Sequence, residues 1–113
     1  DLEDGESEDD DLDSDEVKEL ERKIFANPKS SDPVVELAKL FYDEEYYHHT
    51  MASGLYGISS HPSARGSLSA IIGCTALKLG LYAEAKYHLK KATDYQGMRR
   101  RCLDKLISVQ ENL

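Results

Sequence analysis

From Glu16 onward apolar residues recur at three- and four-residue steps, and no segment alternates as a strand would. Val17, Leu20 and Ile24 open the pattern, and Asn27-Pro28 stops it. Asp32 before Pro33 predicts the next helix start, with an N-cap oxygen ahead of a residue whose missing N–H is not needed there. Val34, Leu37, Ala38 and Phe41 stripe that helix over 33–44, and its partner is expected over 46–59, ending before His61-Pro62. A further helix over 63–79 carries Leu68, Ile71, Ile72, Thr75, Ala76 and Leu79 and is broken by Gly80. The next, over 82–93, places Ala85, Leu89 and Ala92 on one face, and the last begins near Met98 with Cys102, Leu103, Leu106, Ile107 and Leu113 as its apolar side. Six short helices with tight connections leave little room for a sheet, so the class is all-α.

The helices come with a period. Pro28 and Pro62 lie 34 residues apart, Ile24 and Ile58 share that offset, and the following unit ends at Gly97. Two helices per unit of this length resemble tetratricopeptide repeats. The segment 66–97 carries the likeness best: Gly73 as the small first-helix residue, Gly80 and Tyr82 as turn glycine and aromatic, and Ala85, Leu89 and Ala92 as the second-helix pattern. The unit over 31–64 matches at Leu37, Ala38, Phe41, Tyr47 and Pro62, but Glu45 replaces the turn glycine. There Thr50 takes an alanine place, and Gly54 and Gly57 stand where a large and a small residue belong. Glycine costs about 1 kcal/mol in a helix interior, so a close helix contact on the face of Thr50, Gly54 and Gly57 is expected, with a local kink as the rival. The resemblance covers nearly all of 16–113 and implies stacked helical hairpins, an α-solenoid fragment.

Charge divides the chain. Residues 1–16 hold eleven carboxylates and no Lys or Arg, whereas the whole chain is −8, so the rest is about +3. With only Leu2 and Leu12 as apolar residues, the acidic tail over 1–15 is expected to be disordered, and the helical domain to span 16–113. Ser7, followed by Glu8, Asp9 and Asp10, resembles an acidic-directed kinase site. No apolar run approaches the roughly 18 residues that span a membrane, and the start lacks the order of a signal peptide. It also lacks Met, which suggests an excised domain or a processed chain. Two cysteines do not make a disulfide framework, so a reducing, cytoplasmic compartment is expected.

The resemblance also implies a concave groove lined by first helices, the usual peptide site of that family. Mapping the repeats puts Lys39, Tyr42, Cys74, Leu77, Lys78, Arg101 and Lys105 towards it. A branch of the family grips a chaperone's C-terminal carboxylate with Lys, Asn and Arg residues. Arg101 and Lys105 match its final pair, but Val35, Lys39 and Ile71 replace the first Lys and both Asn, so that function is not carried over. A basic groove suited to acidic segments, including the chain's own tail, is what remains.

Catalysis and metal binding find little support. His48 and His49 are adjacent and point about 100° apart on a helix, while His61 lies in a turn and His88 in another repeat. The chain has no phosphate loop, no Cys-x-x-Cys pair and no His-Glu-x-x-His helix. Arg99-Arg100-Arg101 is a weak nucleic-acid signal on a chain of net −8. Tyr42, Tyr46, Tyr47 and Tyr56 read as core packing or as an aromatic contact patch. The expectation is therefore a non-catalytic, cofactor-free scaffold or adaptor that binds protein, within a larger complex or alone. The alternative is a small chaperone holding a secretion or assembly subunit.

Overall fold

The computed structural model describes residues 14–94 and 99–112, with the backbone alone for 99–101 and 112. The tail over 1–13, Gly97, Met98 and Leu113 lie outside the described residues. Among those described, six α-helices and one short 3₁₀ turn account for the secondary structure, and there is no strand. They are α1 (Asp15–Ala26), α2 (Asp32–Asp43), α3 (Tyr47–Ser60), α4 (Arg65–Lys78), α5 (Tyr82–Ala92) and α6 (Arg99–Asn112), with the 3₁₀ turn Pro62–Ala64 leading into α4.

Local chemistry explains most boundaries. The Ser14 hydroxyl accepts from the Val17 N–H at 3.4 Å, and Asp15 and Glu16 put negative charge on the first turn of α1. The start of α2 differs from the expected one. Ser31 occupies the cap position without a side-chain hydrogen bond, and Asp32 is already helical. Pro33 still sits in the first turn, where its missing N–H costs nothing. The turn after α2 and the turn after α4 are built alike: Glu45 N–H donates to the Tyr42 carbonyl and Tyr46 N–H to that of Phe41, as Gly80 does to Leu77 and Leu81 to Ala76.

Each helix packs on the next, most extensively α4 on α5, and beyond these neighbours α2 reaches α4 and α4 reaches α6. The fourth helix is therefore central, with Leu68, Ser69, Ala70, Ile72, Thr75 and Ala76 buried around most of its circumference. One core gathers Ala76, Ala85, Leu89, Ala92, Cys102 and Val109, and another gathers Val34, Ala38, Ala64 and Leu68. Buried Thr50 and Thr75 direct their hydroxyls to the carbonyls four residues back, at 2.9 and 2.7 Å, which satisfies them within the helix. His61, also buried, ties the loop after α3 to the loop after α1 through Nε2, 2.6 Å from the Pro28 carbonyl. An oxygen acceptor requires the proton on Nε2, and the buried Nδ1 has no hydrogen-bond partner.

The last helix corrects its expected register. Cys102 and Val109 face inward, whereas Leu103 and Ile107, assigned from sequence to the same apolar side as Cys102, are 43% and 56% exposed. The apolar residues of α6 span too wide an arc for one contact to cover.

Candidate functional site

The face expected from sequence draws on α2, α4 and α6, which are neighbours. The packing leaves Cys74 within electrostatic reach of Tyr42, whose hydroxyl is held above its ordinary pKa of 10.0 by burial first, then by Cys74, Tyr47 and Asp43. Its ring meets that of Tyr47 at 5.8 Å between centroids, so Tyr42 is a half-buried part of the α2–α3 packing. Lys78 and Lys105 are exposed, Leu77 packs against the core, and the Arg101 side chain lies outside the described residues.

Lys39 has other company. It lines a trench between α1 and α2 of about 520 Å³ with Asp15, Glu16, Glu19, Glu36, Asp43 and Lys23. Five carboxylates against two lysines make this part of the face acidic. Charge thus changes sign along the molecule: residues 14–60 hold nine carboxylates and five cations, and residues 61–112 hold four and nine.

A second groove, not anticipated from sequence, runs over α2 between α1 and α3 and measures about 930 Å³. Ile24, Phe25, Val34, Leu37, Ala52 and Tyr56 make it mostly apolar, and Lys18, Glu21 and Arg22 lie along one rim. Phe25 is 89% exposed and Tyr56 58% exposed, so two aromatic rings stand at the groove in contact with water. Two exposed rings lining one apolar groove form a contiguous surface rather than scattered single residues. Leu55, beside Tyr56, is exposed as well. The sequence signal existed: Phe25 follows Ile24 directly and therefore falls about 100° off the stripe of Val17, Leu20 and Ile24.

The histidines are occupied with packing or solvated. His49 meets the rings of Phe41 and Tyr46 at 5.5 and 5.9 Å, and His88 meets that of Tyr87 at 5.0 Å. Burial lowers the His88 pKa below its ordinary 6.5, Lys91 adds to the effect, and Glu84 opposes it. Among the described residues no three His, Cys, Asp or Glu side chains are grouped to hold a metal ion, and no helix is long and apolar enough to cross a membrane. Cys74 and Cys102 are not joined in a disulfide. The chain matches no family model, no curated protein and no solved structure.

Proposed function

We propose that this chain is a non-catalytic protein-interaction module of tetratricopeptide-like build, and that the groove between α1 and α3 receives an amphipathic helix. The exposure of Phe25 and Tyr56 on either side of an apolar floor carries the reading. Large apolar side chains kept in water around a concavity mark a surface that is dry when occupied. The repeat reading draws support from the like-built turns after α2 and α4 and from the α2–α4 and α4–α6 contacts. A second reading, an extended peptide on the face of Lys39, Tyr42, Cys74, Lys78, Arg101 and Lys105, is favoured by the adjacency of α2, α4 and α6, the helices that carry these residues.

One pair of variants separates them. A fluorescent, designed amphipathic helical peptide binds the parent with a measurable anisotropy change. Phe25→Glu with Tyr56→Glu weakens that binding at least about tenfold, because charge now lines an apolar seat. Lys78→Glu with Lys105→Glu leaves it within about twofold, since neither lysine touches the groove. Unchanged affinity in the Phe25/Tyr56 variant rejects the groove, and loss confined to the lysine variant moves the site to the other face.

A further inference from the structure

We infer that the occupant of this groove is the outer face of α6 from a second copy of the chain, so that copies associate head to tail. The inference rests on the groove reading above and names its partner. Leu103 and Ile107 are one helical turn apart and both exposed, while Cys102 and Val109 anchor α6 in its own copy. A docking α6 therefore stays folded where it is and presents an apolar ridge. At 14 residues it is about 21 Å long, close to the roughly 18 Å of the 12-residue α1 that walls the groove.

Charge selects this occupant over others. On the ridge, Asp104 adjoins Leu103 and Glu111 lies one turn past Ile107, and both are exposed. Across the groove, Lys18 and Arg22 line the α1 rim with Glu21, two cations to one carboxylate, so carboxylates of one copy meet a net positive rim on the next. At longer range, the excess of carboxylates in residues 14–60 faces the excess of cations in residues 61–112. A groove-to-groove arrangement would bring like-charged ends together instead. The acidic stretch over 1–13 offers only Leu2 and Leu12 as apolar residues, ten positions apart in sequence, against the adjoining pair Leu103 and Ile107.

Groove and ridge are different surfaces, so the contact is heterologous and each copy has one of each. The weight-average mass of the parent, followed by sedimentation, should rise with concentration and fall back as salt is added. Phe25→Glu blocks the groove and Ile107→Glu blocks the ridge. Both residues are exposed, and circular dichroism checks that both variants fold. Each variant alone should be monomeric, and their equimolar mixture should reach twice the monomer mass, because each supplies the surface the other lacks. Association by Ile107→Glu alone overturns the inference in favour of a symmetric contact between grooves. A parent that stays monomeric yet binds the designed peptide through Phe25 overturns the inference and leaves the groove standing. A parent that does neither overturns both.

Discussion

The two hairpins, α2–α3 and α4–α5, turn alike but close differently. Every backbone bond around one turn has its counterpart 35 residues on, from Glu44–Leu40 and Leu79–Thr75 to Thr50–Tyr46 and Ala85–Leu81. The crossings diverge. In α4–α5 a Cβ on Gly73 would sit 2.6 Å from Leu89 Cγ and 3.2 Å from its backbone nitrogen, so a large residue of one helix fills the notch of the other. In α2–α3 the position matching Leu89 is Gly54, and its space is taken by Ile72 of α4, at 2.6 Å from the absent Cβ. Gly57 yields likewise to Leu68 of α4 and to Val34 of α2. The second hairpin is thus filled from within, and the first is completed by its neighbour. Filling α3 from one side leaves its other side, with Tyr56, without a covering helix.

The largest way to break this difference is Leu89→Ala. It empties the α4–α5 crossing, so the loss should be about 2–5 kcal/mol by urea denaturation. A loss under about 1 kcal/mol would mean that Leu89 does not fill the notch. Next comes Gly73→Ala, expected to cost about 1–3 kcal/mol by overpacking despite the better helix propensity of alanine. Its cost should shrink in the Leu89→Ala background, where the closest atoms, those of the Leu89 side chain beyond Cβ, are gone and only the backbone nitrogen at 3.2 Å remains. Additive effects would deny the contact.

A smaller test compares the turns. Gly80 has φ +76° and Glu45 φ +65°, the left-handed region that costs a residue with a Cβ about 1 kcal/mol or more. Gly80→Ala should therefore destabilise by about 1 kcal/mol although nothing stands within 4 Å of its absent Cβ, and Glu45→Gly should stabilise by a similar amount. Equal signs in the two urea midpoints would show that the turns are not equivalent. The smallest effect concerns His88 in α5. Its lowered pKa means that the folded state resists protonation more than the unfolded chain. Its contribution is complete above the ordinary 6.5 and is lost as pH falls below it. In His88→Gln the fall of the urea midpoint between about pH 7.5 and 5 should be shallower than in the parent. An identical slope would exclude His88 as a contributor.

Helix positions, the turn at Gly80 and the inward face of Ala85, Leu89 and Ala92 follow from the chain itself, because spacing near 3.6 and turn residues act locally. The need for close contact at Gly54 and Gly57 was legible for the same reason: a helix keeps interior glycines only where a Cβ would collide. Which side chain enters each notch was not. Leu68 and Ile72 reach them from the next helix, and which of its residues meet the notches is set only by how the two helices cross. Lys39 likewise looked like part of a basic face, until α1 set three more carboxylates beside Glu36 and Asp43. The two surfaces proposed to function arise in the same way. A belt with apolar residues at 102, 103, 106, 107 and 109 does not say which edge of α6 meets water, nor does Phe25 say that α3 will stand across from it. Periodicity is a property of one helix, and exposure is a property of its neighbours. So the sequence determined the helices and their turns, and only the tertiary structure decided which apolar residues remained uncovered.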